Sequence, residues 1–326
     1  MHRIVYDVTL HLEIHVKIKL CCIVCLGIFV MGIAGAASPT EVSPKNILVT
    51  TFPIYQITRN VVAGAENINL DLMLPANLGC PHDYALSPLE MQKIESADVL
   101  VVNGLGMEGF LENALRKAKT GITVIDSSAG IDQLIAVHDS HEDHDPKECD
   151  HGHHGEYNPH LFTSPLMAAL ITENIAAELA RIDDPNAAAY NKNGREYAEN
   201  LRILANAMKT ALGRIPNNKV VEPHGAFDYL ARDIGLEIVA EMQPEGSSLS
   251  ASELLTLLET VKHDNPAVII AEPQYPERTG LVLSQETGLP IIRLDPVTGG
   301  PDDAGLDYYE TVMRENMRIL VNALEK

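Results

Sequence analysis

The chain has 326 residues, enough for two domains of ordinary size, and 46% of them are hydrophobic. It carries 45 acidic and 24 basic residues, which gives a formal net charge of −21. Proteins that bind nucleic acid without regard to its sequence need a basic surface, so the charge argues against a nucleic-acid partner. An acidic balance suits a soluble protein that collects cations.

The first 37 residues differ in composition from the rest of the chain. Three basic residues precede an apolar run over residues 20–30, and small residues follow up to Ala37. This order is typical of a secretory signal peptide, and residues 20–37 are also about long enough for an uncleaved membrane anchor. We therefore expect residues 1–37 to be a signal peptide or an N-terminal anchor. The protein would then be extracytoplasmic, in the periplasm or on the outer face of the cytoplasmic membrane.

From Asn46 onward, short apolar strands alternate with helices. Strands are predicted at 47–51, 68–74, 98–103 and 122–126, and helices at 54–63, from Ser87 onward and at 109–118. Ser87, followed by Pro88 and Glu90, forms a capping box with proline in the first turn. This alternation indicates a parallel sheet covered by helices on both faces. We assign it to an N-terminal lobe over residues 46–184.

A histidine-rich loop (residues 137–157) interrupts this lobe. Seven of the thirteen histidines lie from Val137 to His160, interleaved with seven acidic residues. The histidines are His138, His141, His144, His151, His153, His154 and His160. Imidazole and carboxylate groups are ligands of Zn²⁺ and its neighbours, so the composition indicates metal binding. The alternative is a solvated acidic loop. His160 lies apart, where the folded chain resumes.

A long helix follows the N-terminal lobe. Ser164 and Pro165 begin a helix that runs to about Arg181, and residues 185–212 then carry one apolar stripe at spacings of three and four residues. At 1.5 Å per residue this second helix is about 42 Å long. We predict a rigid linker helix over residues 185–214.

The strand–helix alternation then resumes and predicts a C-terminal lobe over residues 217–326. Its strands are predicted at 219–222, 237–241, 267–271 and 290–294, and its helices at 226–234, 250–263, 279–287 and 308–324. The fold class is therefore α/β, with two lobes of βα repeats and parallel sheets joined by one long helix.

Four side chains lie where such a fold places ligands. His82, His224 and Asp295 follow predicted strands, and His160 begins the segment that leads to the long helices. In open parallel sheets, ligands bind beyond the carboxyl ends of the strands. Two of the four residues lie in each lobe, so a cation that all four bound would lie between the lobes. Three neutral imidazoles and one carboxylate are a plausible tetrahedral Zn²⁺ set. Taken singly, each could instead cap a helix or form a turn.

The segments around these four residues resemble a known family. They are Pro81-His82-Asp83-Tyr84, Asn158-Pro159-His160-Leu161, His224-Gly225-Ala226-Phe227-Asp228-Tyr229 and Leu294-Asp295-Pro296, and Ala271-Glu272-Pro273-Gln274 is a further similar segment. In order and spacing they are similar to the metal-ligand motifs of the zinc/manganese substrate-binding proteins of ABC transporters (ZnuA/TroA-like, cluster A-I). The resemblance extends over residues 46–326.

The resemblance implies a function as well as a fold. Proteins of this family capture a divalent transition metal outside the cytoplasmic membrane and deliver it to an ABC-type permease; they are not enzymes. It implies that His82, His160, His224 and Asp295 are the metal ligands. Manganese-selective members usually carry Glu at the third position, so His224 and the histidine-rich loop favour Zn²⁺ as the transported ion. Mn²⁺ or Fe²⁺ is the alternative.

The sequence departs from the family pattern beside the ligands. Cys80 and Asn158 stand where the family usually has Asp, and Phe162 stands where Trp is common. Such positions orient ligands and tune their basicity. Cys80 and Cys149 could form a disulfide in an oxidising compartment, act as thiolate ligands or remain free.

Two functions of other classes compete with transport. An exported zinc hydrolase could use His82, His160 and His224 with Glu222 as the general base, although no H-E-x-x-H motif is present and Asp295 would fill the open coordination position. A metal buffer or adhesin at the cell surface would bind metal without transport. Nothing in the sequence indicates oligomerisation, so we expect a monomer.

Overall fold

The computed structural model describes residues 43–79, 81, 84–111, 114–115, 121–137, 156–242, 250–274 and 278–325. The predicted leader, Cys80, His82, Cys149 and residues 138–155 of the histidine-rich loop lie outside these ranges. The helix predicted at 109–118 begins as a 3-10 turn over Gly109–Leu111. Most of its remaining residues lie outside the described ranges.

The first sheet is built by the N-terminal half of the described chain. Its strands are β1 (Lys45–Val49), β2 (Ile68–Leu72), β3 (Val99–Val102) and β4 (Thr123–Asp126), in the order β2-β1-β3-β4, and every neighbouring pair is parallel. Helices α1 (Phe52–Val61) and α2 (Pro88–Ser96) connect them. The four residues of β3 are all buried, as expected for a central parallel strand covered on both faces.

The second sheet repeats this arrangement. Its strands are β5 (Lys219–Glu222), β6 (Glu237–Glu241), β7 (Val268–Ala271) and β8 (Ile291–Arg293), in the order β6-β5-β7-β8, again parallel throughout. Helices α5 (Asp228–Ile234), α6 (Ala251–Asp264) and α7 (Arg278–Thr287) connect these strands. In each sheet, the second and third strands of the sequence lie on opposite sides of the first strand. Parallel sheets bind ligands at the carboxyl ends of the strands at such a reversal point.

Longer helices complete the described part of the fold, and the second of them joins the two lobes. They are α3 (Pro165–Ile182), α4 (Ala187–Leu212) and α8 (Tyr308–Leu324). The predicted stripe of α4 is buried, and its Gly194 lets α3 approach closely, since a Cβ there would lie 2.4 Å from the Cβ of Ala176. One continuous apolar core includes Val49 of β1, Leu201 of α4 and Val268 of β7. The predicted α/β fold with two parallel sheets and a long joining helix is confirmed.

The joining helix begins slightly later than the sequence indicates. A separate 3-10 turn, Asp184–Asn186, precedes Ala187. The carboxylate of Asp183 accepts hydrogen bonds from Asn186 Nδ2 (2.8 Å) and Tyr190 Oη (2.6 Å), and it caps no backbone N–H group of the turn. Within the described ranges, every helix is too short or too polar to cross a membrane.

Candidate metal centre

His160 is held in one orientation by Asn158. Its side chain is buried, and it directly precedes a 3-10 turn over Leu161–Thr163. Asn158 Oδ1 accepts a hydrogen bond from the backbone N–H of His160 at 2.9 Å and lies 2.9 Å from His160 Nδ1. Because a backbone N–H can only donate, Oδ1 is an acceptor, and the ring atom beside it must carry the proton. In the neutral imidazole, Nε2 is then the unprotonated nitrogen, the kind of atom that binds a metal.

His224 lies beside a buried carboxylate. It lies in the loop that follows β5, and its Nδ1 atom is 3.0 Å from Oε1 of Glu272. Glu272 is only 2% exposed and comes directly after β7, the neighbouring strand. A carboxylate beside Nδ1 is typical of histidines that bind a metal through Nε2.

The two imidazole rings come from different lobes and meet. Their centroids are 5.5 Å apart and their planes cross at 80°. In a tetrahedral zinc site, with Zn–N distances of 2.0–2.1 Å, two ring centroids lie roughly 5 Å apart. The rings of His160 and His224 are therefore close enough to share one ion.

Asp295 follows β8 and is fastened to the same edge of the second sheet. Its Oδ1 atom accepts hydrogen bonds from Val297 N at 2.8 Å and from Gln274 Nε2 at 3.2 Å. Its backbone is held by Asn316, which accepts from Asp295 N and donates to Asp295 O. Burial raises the pKa of Asp295, and the hydrogen bonds from Val297 and Gln274 oppose that shift.

The described residue next to His82 is Pro81. His82 itself lies outside the described residues, but Pro81 beside it lines a small cleft together with Phe162 and Thr298. Phe162 is two residues after His160, and Thr298 is three residues after Asp295. The structure therefore brings His160 and His224 together, links Asp295 to the same sheet edge through Gln274, and leaves the position of His82 open.

Two residues that orient the ligands had no assigned role in the sequence. Asn158 stood out only as a departure from the family pattern, and Glu272 only as part of a similar segment. The sequence feature that identified His224 could also have identified Glu272. Both are polar residues just after a buried strand at the switch point of a parallel sheet.

Glu222, the general base of the hydrolase alternative, is poorly suited to that role. It is fully buried, and its Oε2 atom accepts a hydrogen bond from Phe227 N at 2.9 Å. Burial, and then the neighbouring carboxylate of Asp228, raise the pKa of Glu222 well above its usual range. A raised pKa favours the protonated form of the carboxyl group, which cannot act as a general base.

Comparison with known proteins gives a consistent result. The family model described as "ZnuA: Zinc-uptake complex component A periplasmic" matches residues 47–323. The chain is 30% identical over 285 residues to the high-affinity zinc uptake system protein ZnuA of Bacillus subtilis, covering 86% of this chain and 87% of that protein. It is also 30% identical over 284 residues to the zinc-binding lipoprotein AdcA of Streptococcus pneumoniae, covering 84% of this chain but 55% of that relative. The SBP FpvC of Pseudomonas aeruginosa in complex with Mn²⁺ superposes with a TM-score of 0.74 at 28% identity, over 87% of this chain and 99% of that chain.

Proposed function

The chain belongs to the family of ZnuA, the zinc-uptake complex component A, and we propose that it captures Zn²⁺ outside the cytoplasmic membrane and delivers it to an ABC-type permease. The family consists of transport proteins, and the protein is not an enzyme. The observation that carries the proposal is the meeting of His160 and His224, one from each lobe, at 5.5 Å between ring centroids. In both rings Nδ1 lies within 3.0 Å of a protein oxygen, and we infer that Nε2 is the ligand atom.

We propose His82, His160, His224 and Asp295 as the ligand set. Asp295 is joined through Gln274 to the segment that also carries Glu272, the partner of His224. Pro81 lies in a cleft with residues near both His160 and Asp295. Four protein ligands would close the coordination sphere, which suits a carrier better than a catalyst, because a catalytic zinc keeps one position for water.

A manganese or iron carrier of the same family is the alternative. The described carboxylate of Asp295 is compatible with harder cations, and the similar FpvC structure contains Mn²⁺. A majority of neutral imidazole ligands favours Zn²⁺ over Mn²⁺ in the usual order of affinities.

The other predicted segments of the chain have roles that fit this proposed function. Residues 1–37 would export the chain, or anchor it through residues 20–37. The mature protein would act as a monomer with an N-terminal lobe at 46–184, a linker helix at 185–214 and a C-terminal lobe at 217–326. The histidine-rich loop would be a weak, rapidly exchanging site that raises the local zinc concentration or senses excess zinc.

A competition titration tests the metal site. Metal-stripped protein without residues 1–37 is titrated with Zn²⁺ and Mn²⁺ beside the variants His224→Ala and His263→Ala. His263 is a matched control, because its side chain is 86% exposed and contacts Asp264 at the end of α6. We expect one tight zinc site that prefers Zn²⁺ and loses more than about 100-fold in affinity only in His224→Ala, since even the loss of a ligand's partner costs about 10–100-fold.

Other outcomes would change the conclusion in defined ways. Equal or tighter binding of Mn²⁺ would assign the protein to a manganese or iron carrier. A tight site that is indifferent to His224→Ala would contradict the interlobe site and move the metal centre to the histidine-rich loop. Normal zinc uptake in cells that lack the gene would contradict transport and favour a surface buffer or adhesin.

A further inference from the structure

Asn158 contacts both lobes through one amide group. Its side chain is 6% exposed. On the oxygen side, Oδ1 meets the N–H and Nδ1 atoms of His160, both at 2.9 Å. On the nitrogen side, Nδ2 donates to Gly225 O at 2.7 Å and to Asp228 Oδ2 at 2.9 Å. In addition, Tyr229 Oη donates to the backbone oxygen of Asn158 at 2.8 Å.

These partners select an amide over a carboxylate at this position. The Oδ1 side faces two donors and the Nδ2 side faces two acceptors, so only a group with both an acceptor and a donor satisfies all four. An Asp side chain of the same shape would place an oxygen against Gly225 O and the carboxylate of Asp228. That arrangement loses two hydrogen bonds and adds a like-charge contact in a buried place.

The same contacts join the two imidazoles that meet between the lobes. Asn158 fixes the ring orientation and tautomer of His160, and it holds the carbonyl group of the residue that directly follows His224. Gly225 has φ +77°, and a Cβ on it would lie 3.3 Å from Asn158 Nδ2, so glycine permits this close approach.

We propose that Asn158 is a positioning residue of the metal centre, which holds His160 in register with the loop of His224 and thereby sets zinc affinity and the rate of zinc release. The proposal rests on the proposed function, because it assumes that both histidines bind the same ion. Groups that hold a ligand's second nitrogen typically change metal affinity about 10–100-fold when they are removed.

Asn186 provides a matched control for the substitution. It is also a buried asparagine whose Oδ1 accepts from a backbone N–H, that of Glu66, at 2.9 Å. Its Nδ2 donates to a backbone carbonyl, Glu66 O, at 3.0 Å and to a carboxylate, Asp183 Oδ2, at 2.8 Å. Asn186→Asp therefore makes the same chemical change at the start of α4, beside none of the proposed ligands.

The experiment compares Asn158→Asp, Asn186→Asp, Asp228→Asn and the double variant Asn158→Asp/Asp228→Asn. In the double variant, the new amide at position 228 can donate to the new carboxylate at position 158. Zinc affinity is measured by competition titration, zinc release by transfer to a chelator, and thermal unfolding is followed on the metal-free proteins. We expect Asn158→Asp to weaken zinc binding by about 10–100-fold and to speed release, because repulsion from Gly225 O and Asp228 outweighs the greater basicity that a carboxylate partner gives His160. The double variant should recover part of that loss, and Asn186→Asp should lower the unfolding temperature while keeping wild-type affinity.

Three results would overturn the proposal. The first is wild-type zinc affinity in Asn158→Asp, and the second is an equal loss of zinc affinity in Asn158→Asp and Asn186→Asp. The third is a double variant that binds zinc no more tightly than Asn158→Asp. Failure of the proposed function would be recognised separately, because the wild-type protein itself would then lack a tight zinc site.

Discussion

The two described histidines of the proposed metal centre differ in the group that lies beside their Nδ1 atom. His160 is paired with a neutral amide, that of Asn158, and His224 with the buried carboxylate of Glu272. A carboxylate partner makes an imidazole more basic and a stronger ligand than a neutral partner does. The proposed metal centre therefore has ligands of unequal strength from the two lobes.

Substitution of Glu272 tests this inequality. We expect Glu272→Ala to lower zinc affinity by about 10–100-fold, because the ring of His224 loses both its orientation and the charge that raises its basicity. Glu272→Gln keeps an acceptor but removes the charge, so its loss of affinity should be smaller. Competition titration measures both, with the exposed Glu315→Gln as the control. Equal affinities in Glu272→Ala and wild type would refute the role of this carboxylate.

Glu108 is a buried carboxyl group that is not among the proposed ligands. It is 8% exposed, and its carboxylate accepts hydrogen bonds from Thr50 Oγ1, Asn103 N and Gly104 N. Burial raises the pKa of Glu108 to about 7, and Asp126 adds to the shift, although the three hydrogen bonds oppose it. The folded protein therefore retains a proton that the unfolded chain releases near pH 4.5.

This shift predicts how stability depends on pH. Because the pKa of Glu108 is higher in the folded protein than in the unfolded chain, Glu108 contributes its full stabilisation of the folded state below about pH 4.5. This contribution is lost as the pH rises through about 7. A shift of this size corresponds to about 3 kcal/mol. Denaturant unfolding of the metal-free protein from pH 5 to pH 8 should show this fall in wild type, and Glu108→Gln should flatten it. Parallel curves for the two proteins would contradict the assignment.

At the scale of elements, the ends of the histidine-rich loop are paired with each other. Ala136 and Tyr157 form an antiparallel bridge, Val137 N donates to Glu156 O at 3.1 Å, and Asn158 N donates to Ile135 O at 2.8 Å. Ile135 N also donates to Tyr229 Oη at 3.1 Å. The chain is thus joined at the base of the loop, two residues before His160.

This pairing allows the loop to be removed without moving His160. Replacing residues 138–155 with Asn-Gly leaves a two-residue hairpin turn, which antiparallel strands accept readily. We expect the tight zinc site to remain, the weak sites to disappear and the free energy of unfolding to change by less than about 1 kcal/mol, because loop-closure entropy depends weakly on length. Calorimetric titration gives the number of sites. Loss of the tight site would show that the loop is the metal centre.

Most helices and strands were predicted from the sequence because capping residues and apolar spacing act between residues close together in the chain. Ser87 N donates to Glu90 Oε2 at 2.6 Å, as the capping box requires, and the spacing of apolar residues in α4 matches the buried face. The meeting of His160 and His224 was also predictable, since both lie in segments that the fold brings between the lobes. The contacts of Asn158 were not, because they join residues 67 and 70 positions away in the sequence and depend on how the lobes pack.

At the scale of the whole molecule, the lobes are tied together by more than the joining helix. Arg59 Nη1 donates to Ala304 O at 2.6 Å, and Tyr309 Oη donates to Phe162 O at 2.7 Å. Together with the contacts of Asn158 and the continuous apolar core, these bonds oppose a hinge motion that would separate the two sheets. Release of the ion should therefore need only a small local movement of ligand-bearing loops.

Solution scattering tests this expectation on the full mature chain. We expect the radius of gyration of the metal-free and zinc-loaded forms to agree, because local shifts of about 1–2 Å leave the overall dimensions almost unchanged. A variant with the Arg59 contact removed, Arg59→Ala, serves as a comparison, since it weakens one bond between α1 and the segment that leads to α8. A change of several ångströms on zinc binding in the wild-type protein would indicate hinged closure, and the lobes would then be held together chiefly by the ion.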